Sequence, residues 1–171
     1  ESSSWMVSAR SSGLPNVGAF FLEGDDLYWI DYVSGNGSLR RTSVSMGTST
    51  TLGVAQGPWP SDVIRDSRDG SFIVSSQQSQ YLWRIPAGGG ARTAAYNLGA
   101  GRAGAQIAQD DQYFYTCTYQ AAGGQVLRIR KDTGVVDVIA SGQGSPWGIY
   151  VTPSRIYWSV YFDRSIWAAA H

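Results

Sequence analysis

The sequence predicts an all-β fold of four similar units, because a strand-like segment occurs four times along the chain. Its copies lie at residues 27–32, 71–76, 113–118 and 156–161. Successive copies are 44, 42 and 43 residues apart, and joining the chain ends would add a closing step of 42. A repeat of about 40 to 50 residues made of short strands is typical of a β-propeller blade. We therefore predict one domain, residues 1–171, with four blades of four antiparallel strands.

The two chain ends predict a shared blade. Glycines and turn residues place the units at about 16–54, 60–98, 103–140 and 146–170, and the last unit stops after its third strand. Residues 4–9 resemble a fourth strand, so we expect them to complete the last blade and cover its exposed edge. Closure within one chain gives a four-bladed monomer. The alternative is a head-to-tail homodimer that closes an eight-bladed ring, which requires the rotation between copies to fit.

Charge and hydropathy exclude two classes of partner. The 171 residues include 13 basic and 13 acidic side chains, with no basic cluster beyond residues 128–131, so nucleic-acid binding is not expected. No apolar run approaches the ~18 residues of a membrane span. The chain begins with Glu1 rather than Met, which is consistent with a processed product or a trimmed one. We expect a secreted, periplasmic or cell-surface protein.

The repeated strands also resemble known blade types. Leu27–Tyr32 and Ile156–Tyr161 are similar to the second strands of YWTD propellers. Pro146–Val151 resembles the first strands of NHL and streptogramin-lyase-like blades, and residues 60–64 match that pattern less well. The resemblance covers the whole chain and implies a propeller architecture. It implies no particular function, since these motifs serve packing in many propellers.

The candidate ligand residues come from one predicted end of the channel. Loops joining strand four to strand one, and strand two to strand three, are expected to meet there, at the face where propellers usually bind ligands. Trp59 and Trp147 either stack on a sugar or other flat ligand or wedge between blades. The polar candidates either contact the ligand or pair with neighbouring side chains, and they are Asp31, Asp62, Arg102 and Asp163.

Catalytic side chains are scarce. His171 is the only histidine and is predicted to lie away from the ligand face, which argues against a multi-histidine metal site and a serine-histidine relay. It also argues against a streptogramin-lyase-like activity, for which the resemblance implies a histidine within the ring. We expect no metal, no cofactor and no catalytic residue.

The predicted function is a non-catalytic module that binds a glycan, a peptide or a partner protein. The alternatives are a lyase or hydrolase using Asp, Tyr and Arg, and a structural assembly unit.

Overall fold

The fold consists entirely of β-strands in the residues that the structure, a computed structural model, describes: 17–33, 36–53, 59–120 and 123–170. These ranges contain no helix of the length and apolarity that a membrane span requires. The strands are β1 Val17–Glu23, β2 Asp26–Val33, β3 Asn36–Ser43, β4 Ser49–Gly53, β5 Pro60–Arg65, β6 Phe72–Ser76, β7 Tyr81–Ile85, β8 Thr93–Asn97, β9 Gly104–Gln109, β10 Tyr113–Thr118, β11 Gly124–Arg130, β12 Val136–Gln143, β13 Pro146–Val151, β14 Arg155–Val160 and β15 Ser165–Ala170.

The strands form four antiparallel sheets, each of which is a blade. Blade 1 comprises β1–β4, blade 2 β5–β8, blade 3 β9–β12 and blade 4 β13–β15, and every sheet pairs its strands in chain order. This arrangement confirms the predicted propeller of four-stranded blades. Blade 4 has three strands within the described part of the chain. The expected fourth strand, residues 4–9, lies outside the described residues.

Each pair of neighbouring blades encloses its own apolar core, because the central strands carry large side chains on both faces. Between blades 1 and 2 the core includes Tyr28, Ile30, Phe72 and Val74. The core between blades 2 and 3 is built around Ile73 and Phe114, and the core between blades 3 and 4 around Tyr115 and Trp158. Adjacent residues of one strand therefore serve different junctions, as Phe72 and Ile73 do.

The repeat alignment suggested by the sequence is wrong by one residue in blades 1 and 4. It equates Tyr28 with Phe72, yet Tyr28 faces the following blade and Phe72 faces the preceding one. Strand pairing instead places Leu27 and Ile156 at the position of Phe72. A one-residue slip reverses the face of every side chain in a strand, so aromatic resemblance alone does not fix the register.

Close approaches between blades explain two glycines. Gly37 is the second residue of β3 and Gly124 the first residue of β11. A Cβ atom at either position would collide with the proline ring that starts the next blade, Pro60 or Pro146. Only glycine leaves room for this contact at the end of the blade. The two prolines therefore occupy equivalent positions.

The four blades form an open arc. The first strands of consecutive blades are neighbours, with β1 beside β5, β5 beside β9 and β9 beside β13. Within the described residues, β13 and β1 have no comparable packing. A closed four-bladed ring would make these two strands neighbours as well.

A buried ion network joins blades 2 and 3 at the end away from the predicted ligand face. Asp66 accepts hydrogen bonds from Arg68 and Arg84, and its carboxylate lies 3.5 Å from Nζ of the buried Lys131. The same ammonium donates to Gln109 Oε1 over 2.7 Å. Burial raises the pKa of Asp66, but the hydrogen bonds from Arg68 and the charge of Lys131 outweigh it and lower this pKa to about 2.

We predict that Asp66→Asn lowers the free energy of unfolding by about 3 kcal/mol at pH 7, because it leaves Lys131 buried without its carboxylate. The control is Asp132→Asn, which removes an exposed ion pair with Arg130 and should cost under about 1 kcal/mol. Urea unfolding measures both. The folded pKa of Asp66 lies below the unfolded value of about 3.9, so its stabilisation should be complete above pH ~4 and lost as the pH falls toward 2. Equal losses in the two variants would contradict the network.

Candidate functional site

Backbone hydrogen bonds bring the two predicted sets of loops together at one end of the blades, which we call the mouth. The amide of Gln77 donates to the carbonyl of Trp59, and the amide of Tyr161 donates to the carbonyl of Ser145. In blade 3, the amide of Tyr119 donates to the carbonyl of Ala103. Each bond joins a loop between strands two and three to the segment before strand one of the same blade. The sequence placed these loops correctly.

Backbone strain is concentrated at the mouth. Within the described residues, the non-glycine residues in the left-handed region are Trp59, Ser145 and Arg164, with φ of 53°, 56° and 48°. Trp59 and Ser145 each precede the proline that begins a blade, where an extended backbone is the usual conformation. Such strain costs energy and is found preferentially at functional sites. The mouth is therefore the end of the molecule at which a functional site is best sought.

An aromatic surface lies at the mouth of blades 3 and 4. We call it the mouth patch and define it as Tyr119, Trp147, Tyr161, Phe162 and Arg164. Trp147, Tyr161, Phe162 and Arg164 line an open groove of about 560 Å³. Tyr161 is 73% exposed, and Phe162 and Tyr119 are also exposed. A contiguous patch of exposed aromatic side chains is typical of an interaction surface, whereas single exposed rings are common on any protein.

Ring contacts fix the shape of this surface. Tyr119 meets the ring of Trp147 edge to face at 5.2 Å, and Tyr161 meets Phe162 in the same way at 5.4 Å. Edge-to-face contact is a preferred geometry of aromatic pairs and favours one arrangement of the rings in each pair. A Cβ atom on Gly144 would lie 3.3 Å from Phe162 and 3.4 Å from the carboxylate of Asp163, so this loop packs closely against its neighbour.

The structure separates the two predicted tryptophans. Trp147 contributes to the mouth patch, and Asp163 lies in the same loop as Phe162 and Arg164. Trp59 is exposed at the mouth of blade 2, but it corresponds to Ser145 rather than to Trp147, because Pro60 and Pro146 are equivalent. The two tryptophans therefore lie two positions apart in the blade repeat.

Two of the predicted polar residues serve the fold. Asp31 is fully buried, accepts a hydrogen bond from the amide of Ser38 over 2.9 Å and pairs with Arg40. Arg102 donates from Nη1 to the carbonyl of Leu98 over 2.7 Å and so braces the turn before β9. These contacts match the alternative reading in which the polar candidates pair with neighbours.

Asp62 links blade 2 to blade 3. Its carboxylate accepts hydrogen bonds from the amide of Ile107 over 2.8 Å and from the amide of Val63 over 2.9 Å. Burial raises the pKa of Asp62 to about 6, and the two amides offset only part of this effect. Ser61 reinforces the same junction by donating to the carbonyl of Gly104 over 2.9 Å.

Four residues of the mouth patch are not among the candidates that the sequence predicts: Tyr119, Tyr161, Phe162 and Arg164. Their signal was visible as aromatic residues in the loops after β10 and β14, whereas the corresponding loop of blade 2 contains Gln77 and Gln78. Nothing in the sequence distinguished these rings from packing aromatics. Their exposure depends on which surfaces the neighbouring blades cover, which only the fold reveals.

Other chemistry is sparse in the described ranges. They hold no group of three or more His, Cys, Asp or Glu side chains arranged to bind a metal. Cys117 is buried, and burial raises the pKa of its thiol to about 12, so the nucleophilic thiolate is disfavoured. A charged groove of about 230 Å³ lies at the end opposite the mouth, but Arg68, Lys131 and Arg130 there already pair with aspartates.

The four antiparallel sheets give the chain the fold of a β-propeller, as the sequence predicts. No family model matches the chain, and no curated protein matches it. It is similar to a crystal structure of a nidogen/laminin complex, with 15% identity, a TM-score of 0.63 and coverage of 90% of this chain and 75% of that chain. It is also similar to a structural genomics protein of unknown function from Bacteroides thetaiotaomicron, with 16% identity, a TM-score of 0.69 and coverage of 90% and 47% respectively. At these identities the likeness shows the fold alone.

We predict that Asp62→Asn removes a pH dependence of stability between pH 4 and 6. The folded pKa of about 6 exceeds the unfolded value of about 3.9, so the folded protein keeps a proton that the unfolded chain has lost. Stability should therefore fall as the pH rises from ~4 to ~6 and then level off. Urea unfolding at pH 4.5 and 7 measures the change. Ser61→Ala is the control, because it weakens the same junction equally at both pH values, and a pH dependence unchanged in Asp62→Asn would contradict the assignment.

Proposed function

We propose that this propeller is a non-catalytic binding module and that its ligand, a glycan, a peptide or a segment of a partner protein, binds the mouth patch. The main support for this proposal is the open groove lined by Trp147, Tyr161, Phe162 and Arg164. Rigid aromatic rings offer a large contact area with little loss of side-chain entropy. Exposed rings at the mouth would release ordered water when a ligand covers them.

The composition of the patch favours a peptide or protein segment among these ligands. Tyr, Trp and Arg are the side chains that most often dominate the binding energy of protein interfaces. Here three kinds of aromatic ring stand beside Arg164, a planar cation that recognises carboxylates and stacks on rings. The similarity to a structure of a nidogen/laminin complex is in keeping with a protein partner. A glycan would use the same ring faces for stacking and is the alternative outcome of the test.

The enzyme alternative has less support. Asp31 pairs with Arg40 and is buried, and both carboxylate oxygens of Asp62 accept backbone hydrogen bonds. A general base must reach the proton that it removes, and these two groups are already engaged. Asp163 is exposed in the loop at the mouth, but the described residues that line the groove include no carboxylate. We therefore propose Asp163 as a polar contact for the ligand.

We also propose a secreted, periplasmic or cell-surface location, as the sequence predicts. A module that recognises partners outside the cytoplasm would use an exposed aromatic surface such as the mouth patch. Separate assays of culture medium, periplasm and cytoplasm, with an antibody against this chain, test the location directly.

We predict that Trp147→Ala combined with Phe162→Ala weakens ligand binding at least 100-fold, which corresponds to the ~2.7 kcal/mol expected for losing two anchor residues. The probes are a random-peptide display library and a printed array of oligosaccharides, each screened first with the native protein. The control is Met46→Ala, which removes an exposed apolar side chain in the turn between β3 and β4. Hits retained by the double variant would contradict the proposed site. Hits on the oligosaccharides alone would identify a glycan module.

A further inference from the structure

Blade 4 exposes the face that its three predecessors bury. We call the face of each blade that looks toward the following blade its trailing face, and the opposite one its leading face. On the trailing faces of blades 1, 2 and 3, Tyr28, Ile73 and Tyr115 take equivalent central positions, and all three are buried. Tyr157 takes this position in blade 4, and it is exposed. Blade 4 thus ends the arc with an uncovered junction surface.

The exposed trailing face is apolar over several strands. Tyr150 of β13 pairs with Tyr157 of β14, which in turn pairs with Ala168 of β15, so these three side chains lie on one face. Tyr150 is 67% exposed, and Ile166 on the same face is also exposed. Ile166 also lines the groove at the mouth, so this face adjoins the mouth patch. An apolar surface of this kind, continuous across a sheet, is typical of an interface.

Blade 1 exposes the complementary leading face. Phe20 pairs with Trp29 and occupies the position of Val63, which is buried against blade 1 in the second blade. In contrast to Val63, Phe20 is 64% exposed, and Leu22 on the same face is 62% exposed. Trp29 itself is buried, and the Arg40 guanidinium lies over its ring at 5.6 Å. Phe20 and Leu22 therefore form the uncovered part of this face.

We propose that the trailing face of blade 4 docks onto the leading face of blade 1 in a second copy of this chain, and that two copies close an eight-bladed ring. We infer a second copy as the partner because a trailing face packs on a leading face at each of the three junctions inside the chain. Within the described residues each copy exposes one face of each kind, and β1 and β13 make at most marginal contact. A head-to-tail contact of this type satisfies both faces at once and closes if the rotation fits.

Two matched variants test the contact without touching the mouth patch. Tyr150→Asp places a charge on the trailing face, and Phe20→Asp places one on the leading face. Both side chains are mostly exposed, so the substitutions should leave the folded chain intact, which circular dichroism checks. Met46→Asp serves as the control for an added charge at an exposed apolar position elsewhere. Light scattering after size exclusion measures the particle mass against the chain mass of 18.5 kDa.

The native protein and the Met46 variant should have twice the chain mass, and each face variant alone should have the mass of one chain. Mixing the two face variants should restore a 1:1 dimer, because the intact trailing face of one fits the intact leading face of the other. A face-to-face dimer would not show this complementation. A native monomer, a dimer that survives both substitutions, or a mixture that stays monomeric would each overturn the proposal. Binding to peptides or glycans is measured separately, so loss of the dimer and failure of the mouth patch are distinguishable.

Discussion

Packing between neighbouring sheets is the constraint on which the rest of this structure depends. A blade is a thin sheet with apolar side chains on both faces, so it has no core of its own and is stabilised by packing against its neighbours. This requirement explains why Phe72 and Ile73, adjacent in one strand, belong to different cores. It also explains why Gly37 and Gly124 are needed where a proline of the next blade comes close. The polar bridges Asp62 and Lys131 lie on the same junction between blades 2 and 3.

Side chains in the mouth loops are less constrained by packing between blades than those in the sheets. The sheet interiors bury their rings, whereas the loops after β10 and β14 present Tyr119, Tyr161 and Phe162 to solvent. Strained backbone at Trp59, Ser145 and Arg164 accompanies these loops, and stable sheets on either side can bear its cost. A rigid scaffold with exposed aromatic loops is suited to recognition, because little order is lost when a partner binds.

The open arc changes how the aromatic residues should be interpreted. The same kind of ring that closes an internal junction, such as Tyr115, is exposed at Tyr157, which the described blades leave uncovered. Tyr119 and Tyr161 differ in the same way at the mouth. Their backbone amides donate hydrogen bonds at equivalent positions of blades 3 and 4, but within the described residues only Tyr119 contacts a tryptophan of the following blade. Exposure in this protein is therefore set by position along the arc more than by residue type.

Repeat spacing and strand composition are enough to predict the class of fold and the number of blades, because a repeat of short, two-sided apolar strands is compatible with few other arrangements. The sequence also located the mouth loops and reached two members of the site region, Trp147 and Asp163. Only the tertiary structure decided the register of blades 1 and 4, since a slip of one residue keeps the aromatic pattern but reverses the faces. Only the structure likewise separated the buried Asp31 from the exposed Asp163. The physical reason is that burial and pairing depend on contacts between blades, which residue spacing along one strand does not encode.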